Sequence, residues 1–477
     1  MGEAATGGAL VQVGGDSAEE RFTLGYGDMV ALSGDFFACH YPGVNGVAAT
    51  QVGPAGSAAD DLFRLAAIPG KQGTKLGTRD EIVCALQVMA VDGAFADARF
   101  EPGGEFEHYQ FTETAAVTEL ERRVRDRFLA LATANGDHFV TPGQPDTVHD
   151  HNGPPTSRFD SAVLAYRHLH QAALDEACRL GRCRGDESRA MAWEAAAQHY
   201  LTDAFSAGHL RTPVTAMRHF WHHRYPQFWQ SLQRKVAADT AAALRELARP
   251  ARMLPDGFLD DRALVAVKAR TRTYPPITLG DLLARVFHDW DNSHGLMLEG
   301  GGILFGDGLI EEGVGKKLAV AAVRSGIDDV EVAYRLGMSG SRLRREALYR
   351  AVRSATGAPD DAFGPETRIP ILSADNPPQN WRATDAEALW NSPIVGTTGT
   401  TVGMAVEQTL RQGTEVSRRL DCLGPGVFEV PNLLGVPALR RWVARKACQA
   451  YHHGFIQGLA QDPRATVLAI VDDGSGS

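Results

Sequence analysis

The chain has 477 residues, 44% of them hydrophobic and 22% charged, and a formal net charge of −10. These values suit a globular protein with a large core and room for two or three domains. They argue against a protein built mainly to grip a nucleic-acid backbone.

The N-terminus has no basic region and no long apolar run, so it does not read as a secretory signal. It fits the short Met-Gly-x3-Thr acylation pattern, which Glu3 supports poorly. No apolar run reaches the roughly 18 residues needed to span a membrane. Six cysteines (39, 84, 178, 183, 422 and 448) form no Cys-x2-Cys pair. They are expected as free thiols in a reducing compartment. Cys178 and Cys183 read as two separate thiols, with a redox pair as the other reading.

Residues 1–20 read as a flexible tail. The first organised element starts at Phe22. Asp28 and Asp35 lie seven apart, two helical turns, and share a face with Leu32 between them. Two acids facing one way suit a metal-facing edge; a solvated acidic face is the alternative. Residues 42–58 read as loop. Thr78 with Glu81 makes a capping box that opens a helix over 79–91. Residues 113–134 are amphipathic, with Val117, Leu120, Val124, Phe128 and Leu131 on one stripe. That helix ends in Asn135-Gly-Asp-His138-Phe139. A His just past a helix end, leading into a Pro-containing loop, is placed to swing onto a metal. His149 and His151 read as solvent loop residues held in reserve.

Residues 159–180 form another helix, on which His170 shares a side with Ala173 and Leu174. It is either a satisfied core histidine or an imidazole that holds a ligand carboxylate in place. The central helix follows over 187–210. Its stretch Ala195-Ala-Ala-Gln-His199-Tyr-Leu-Thr-Asp203-Ala-Phe-Ser-Ala-Gly-His209-Leu-Arg-Thr-Pro213 is Ala-rich and free of Gly and Pro until Gly208. His199 and Asp203, four apart, stand one above the other and can share one zinc, with bonds of roughly 2.0–2.2 Å. His209 leaves the loosened helix end about three turns after His199, within reach of a second ion. A core His bonded to a helix Asp is the competing reading.

The His-x3-Asp-x5-His spacing inside a His-Tyr-Leu-x-Asp helix resembles the zinc-dependent phospholipases C and the related zinc nucleases that cut single strands. That resemblance implies an all-α, multi-helical fold and two or three Zn2+ ions. It implies that His199 and Asp203 hold one ion, that Asp203 bridges to another, and that His209 holds the remaining one. His138 is similar to the histidine segment that precedes the central helix in that family, and it joins His199 as a ligand. Asp35 is then a further ligand or the base that orients the water. Secreted members also use the amino group of an N-terminal Trp. This chain shows no leader to cleave and no such Trp, so the third site is absent or rebuilt from Asp28, His40 or others.

Residues 214–249 read as helix interrupted at Pro226. They carry His219, His222 and His223 among aromatic residues, the pattern of a buried stripe. His223 lies at the distance where some relatives place their next zinc ligand, but the acidic partner four further on is Gln227. Residues 279–298 end in His288-Asp-Trp-Asp291-Asn292-Ser-His294, a dense group at a helix end. His288 is the preferred partner of His209, with Asp291 or Asn292 completing the site and His294 in reserve. The Gly-rich turn after 299 reads as a hairpin or loop over the site.

Residues 315–354 return to helix. Within them Val332 to Arg345 resembles a short helix-turn-helix reader, the reading from a different functional class. Residues 355–395 are Pro-rich loop, 404–420 and 437–459 are helices, and 473–477 are tail. The organisation expected is a catalytic body over 21–310 with a helical C-terminal region, 311–472, packed on it. The expected activity is phosphodiester hydrolysis with a phospholipid headgroup as leading substrate. The alternatives are a single-strand nuclease and a non-catalytic zinc-binding relative. No stable nucleic-acid partner and no transmembrane segment are expected. The lack of a signal places the chain in the cytoplasm unless it leaves by a signal-independent route.

Overall fold

The structure, a computed structural model, describes residues 10–13, 22–35, 68–69, 75–76, 86, 136–140, 161–247, 257–271, 278–306, 309–356 and 368–376. Of these residues 71% are helical, which makes the fold mainly α. Strands β1 (Leu10–Val13) and β2 (Phe22–Gly25) pair antiparallel and lead into α1 (Tyr26–Asp35). Strands β3 (Ile68–Pro69) and β4 (Lys75–Leu76) form a second small pair. A 3-10 turn covers Gly136–His138. The helices that follow are α2 (Ala162–Cys183), α3 (Ser188–Asp203), α4 (Ala207–Arg211), α5 (Val214–Arg224), α6 (Phe228–Leu247), α7 (Phe258–Thr271) and α8 (Leu279–His294). The hairpin β5 (Leu296–Met297) and β6 (Ile303–Leu304) precedes α9 (Gly315–Met338) and α10 (Arg345–Ala355).

Local chemistry explains many of these bounds. Ser161 caps α2 by accepting the Leu164 amide, and Thr278 with Asp281 makes a reciprocal capping box at the start of α8. The chain breaks between α5 and α6 around Pro226, where the sequence places the interruption. The hairpin after α8 forms in the Gly-rich stretch, with Leu298 bridging to Leu372.

The core gathers α1, α2, α3, α9 and α10. Every residue of α3 from Ala192 to Thr202 is buried. A helix without a wet face must be enclosed by neighbours, and its alanines let α1, α2 and α9 come close. Helices α2 and α9 approach most tightly where two glycines face backbone. A Cβ at Gly181 would lie 2.1 Å from the Tyr334 carbonyl oxygen, and one at Gly337 would lie 2.1 Å from that of Cys178.

Two expectations need correction. Residues 10–13, read as tail, form a strand held by four register pairs with β2. Beyond residue 310 the chain packs on the body that precedes it. Helix α9 lies inside the same core as α2 and α3, because Ala319, Val323, Val330 and Ala333 fill it. The central helix does not run to 210 but stops at Asp203, and Ser206, in extended conformation, starts the separate helix α4. The break is set by α8. Asn292 Oδ1 accepts the Gly208 amide at 2.6 Å and the Ser206 hydroxyl at 2.8 Å. The helices expected at 79–91, 113–134, 404–420 and 437–459, and the tail 473–477, fall almost wholly outside the described residues. Among those described, no helix is long and apolar enough to cross a membrane.

Candidate metal centre

The 3-10 turn and the end of α3 bring three side chains together. Asp203 Oδ2 lies 2.9 Å from His138 Nδ1 and 3.7 Å from His199 Nε2, and the two nitrogens are 3.2 Å apart. Local and distant chemistry share the work. The i, i+4 spacing on α3 stacks His199 above Asp203, whereas His138 arrives from 61 residues away.

The residues fit a metal ion. A tetrahedral zinc with bonds of about 2.1 Å needs ligand atoms about 3.4 Å apart, and the three observed separations bracket that value. The His199 tautomer is set from behind, since Nδ1–H donates to the Val30 carbonyl of α1 at 2.9 Å. That leaves the Nε2 lone pair facing the cluster. Asp203 Oδ2 is buried and receives no well-directed hydrogen bond, despite the His138 nitrogen beside it. A buried carboxylate oxygen in that condition is costly unless a cation meets it. Burial alone would raise the Asp203 carboxyl, but His199, His138 and His209 outweigh it and hold the group well below the usual carboxylate range.

A second group adjoins the first. His209 Nδ1–H donates to the His138 carbonyl at 3.0 Å, and the Val140 amide donates to the His209 carbonyl at 2.8 Å. These two bonds fasten α4 to the 3-10 turn. Phe139 stacks on the His209 ring at 4.7 Å. The His288 ring stands edge-on to His209 with centroids 4.7 Å apart. Gly208 permits this approach, since a Cβ there would meet the His288 carbonyl oxygen at 2.4 Å. His209 and His288 are therefore neighbours, while His223 is exposed at the end of α5.

Other expected residues go elsewhere. Asp291 is not free to bind an ion: Arg211 takes it in a buried two-point pair, Nε to Oδ2 at 2.7 Å and Nη2 to Oδ1 at 2.6 Å. Asn292 holds the start of α4 through Oδ1 and reaches the His288 ring through Nδ2, 3.2 Å from Nε2. Asp28 turns back to the Gly25 amide at 3.2 Å, at the head of α1, where an acid also suits the helix dipole. Asp35 ends α1, but its side chain lies outside what the structure describes, as do His40, His149 and His151. His294 is exposed beside Ser293.

Chain comparison adds no relative: no family model, no curated protein and no solved structure matches the chain.

Sequence reading passed over two features. Asp137 is buried beside His138, and desolvation pushes its carboxyl up to about 6 even though His138 and His199 pull it down. Its place next to His138 in the chain was the available signal. The other is the network around His170, which proves to be a core histidine and does not hold Asp203. His170 Nδ1 meets Glu194 Oε2 at 2.6 Å, and Nε2 lies 3.5 Å from Asp329 Oδ2. Arg368 pairs with Asp329, and Gln198 ties Glu194 to the Val323 carbonyl and the Tyr26 hydroxyl. Nothing in local spacing announces contacts that cross from α3 to α9 and residue 368.

This network makes stability depend on pH. Burial alone would lower the His170 pKa, but Glu194 and Asp329 outweigh both that and Arg368, and raise it above 6.5. A raised folded value gives stability that is full below the unfolded pKa and lost as pH climbs through the folded one. Wild type should therefore lose part of its advantage over His170→Asn as pH rises above the ordinary histidine value of about 6.5. Thermal denaturation of both chains on either side of that value reads it, and a constant difference would contradict it.

Proposed function

We propose that this chain is a zinc-dependent phosphodiester hydrolase of phospholipase C type, acting on a phospholipid headgroup. His138, His199 and Asp203 would hold one ion, and His209 with His288 a second. The observation that carries the reading is the near-tetrahedral spacing of Asp203 Oδ2, His138 Nδ1 and His199 Nε2. Zinc there would supply Lewis-acid chemistry, lowering the pKa of water to about 7 and stabilising charge on a phosphoryl oxygen. The chain's own groups do the rest. Val30 fixes the face that His199 presents. The histidines keep Asp203 ionised without protonation at working pH. Phe139, stacked on His209, offers an apolar wall beside the two groups. That wall and the net charge of −10 favour a lipid phosphodiester over a polyanion.

The test is zinc content together with hydrolysis of a phosphatidylcholine and of single-stranded DNA, each with and without chelator. Two or more zinc equivalents and chelator-sensitive release of the headgroup phosphate are expected. Less than one equivalent of transition metal sinks the proposal. Cleavage of DNA alone moves the reading to a nuclease. Retained zinc with no activity on either leaves a structural metal. Among variants, His288→Ala should remove about one metal equivalent, and His223→Ala none.

A further inference from the structure

Seven large apolar side chains are exposed among the described residues, and three of them, Met297, Ile303 and Ile371, gather on one small sheet face. Met297 and Ile303 are register partners across the β5–β6 hairpin. Residues 371–373 run antiparallel along the other edge of β5. There the Glu299 amide donates to the Ile371 carbonyl and the Ser373 amide to the Met297 carbonyl, each at 2.9 Å, with Leu298 bridged to Leu372 between them. Side chains alternate along a strand. Leu296, Leu298 and Leu304 point inward, where they pack with Ala207 and Leu210 of α4. Met297, Ile303 and Ile371 take the outward places and are 41%, 44% and 65% exposed. Asn376 fastens the arrangement, its Oδ1 accepting the Met297 amide at 2.8 Å and its Nδ2 donating to the Met297 carbonyl at 2.7 Å. The turn at Gly300 and Gly301 stands clear, with nothing within 4 Å of the place of a Cβ. The Gly306 amide donates to the Asn292 carbonyl of α8 at 3.1 Å. The face therefore lies at the end of the molecule that carries His209 and His288.

We propose that this face docks on a zwitterionic lipid surface of the phosphatidylcholine kind. The choice of a lipid partner rests on the hydrolase reading above. Large apolar side chains kept together in water mark contact with another surface, and binding to a lipid interface scales with the apolar area it covers. A three-stranded face pinned by main-chain bonds needs little ordering before it binds. Charge decides which lipid. Glu299 is exposed beside Ile371, and Asp375 is exposed just beyond Ser373. The Val314 amide donates to the Ile303 carbonyl at 3.0 Å, which brings Glu311 and Glu312 to the edge of β6. Against these four carboxylates the nearby chain sets Lys316 and Lys317. An anionic leaflet attracts basic segments and would repel this rim. Choline ammonium groups, outermost on a zwitterionic surface, meet carboxylates favourably. A second copy of the chain suits the face less well, because a two-fold contact sets a patch on itself and would bring Glu299 against like charge.

Co-sedimentation of the full, metal-loaded chain with vesicles tests it, using pure phosphatidylcholine and phosphatidylcholine mixed with phosphatidylserine. The chain should bind the pure phosphatidylcholine vesicles, and phosphatidylserine should weaken binding at low salt. Met297→Ser, Ile303→Ser and Ile371→Ser together should weaken binding by about tenfold or more, since fully burying even one such side chain is worth about that. Ile371→Ser alone, at the most exposed of the three positions, guards against misfolding and should act in the same direction. Met338→Ser, an exposed apolar position at the far end of α9, should leave binding unchanged. Zinc content should be that of wild type in every variant, and so should hydrolysis of a short-chain phosphatidylcholine held below its micelle concentration. Vesicle binding by a chain that hydrolyses nothing would strike the hydrolase reading and leave the docking face. Hydrolysis of the soluble ester without vesicle binding would do the reverse. Absence of vesicle binding, undiminished binding by the triple variant, an equal loss in Met338→Ser, or preference for phosphatidylserine overturns the proposal. So does a dimer that the triple variant separates and that has no affinity for vesicles.

Discussion

His199→Ala should release at least one zinc equivalent and abolish most hydrolysis. Its Nε2 is one of three atoms at the vertex spacing, and the Val30 carbonyl leaves it no other orientation. Removing groups that only orient a ligand costs about 10–100-fold in affinity or activity, so loss of a ligand should exceed that range. The fold should also weaken, since ligand binding energy is folding energy when the site exists only in the folded chain. His138, buried, and Asp203, partly buried, would then be left with one partner fewer. Metal analysis, headgroup release and a melting curve on the purified variant read all three effects. Wild-type zinc content in His199→Ala would remove the metal centre from consideration and leave a hydrogen-bonded His–His–Asp group.

The second large effect is on stability. Asp291→Ala should cost about 3–5 kcal/mol, because it leaves the Arg211 guanidinium buried without its carboxylate. Arg211 is 5% exposed and Asp291 1%, so water cannot easily take over. Burial raises the Asp291 carboxyl above its usual range even with Arg211 beside it. The attraction within the pair therefore does not fully offset desolvation. Replacing both together, Arg211→Met with Asp291→Leu, should recover much of the loss. Chemical denaturation of the single and double variants measures this. If Asp291 were a metal ligand instead, the single variant would shed zinc and the double variant would not recover it.

The two effects mark where sequence reasoning succeeds and where it stops. His199 over Asp203 follows from helix geometry alone, because residues four apart on an α-helix must share a face. The break around Pro226 and the hairpin after Gly295 are equally local. For these features, the side chain and the backbone it controls lie within a few residues of each other. The stop at Asp203 was misplaced because it depends on Asn292, which is 84 residues from Gly208 and takes its amide. Asp291 looked like a ligand because acids beside a histidine at a helix end have that composition. Only packing reveals an arginine 80 residues away already bound to it.

What the sequence by itself determined about this protein is its helical class, the break around Pro226, the hairpin of the Gly-rich stretch, and the pairing of His199 with Asp203. Hydrophobic period, turn residues and i, i+4 spacing are short-range quantities. The tertiary structure decided that His138 completes the cluster, that His288 and not His223 stands beside His209, and that α9 belongs to the core. Each of these joins segments distant in the chain. Their meeting is set by which surfaces exclude water together and by which buried charges find partners, quantities that no local window contains.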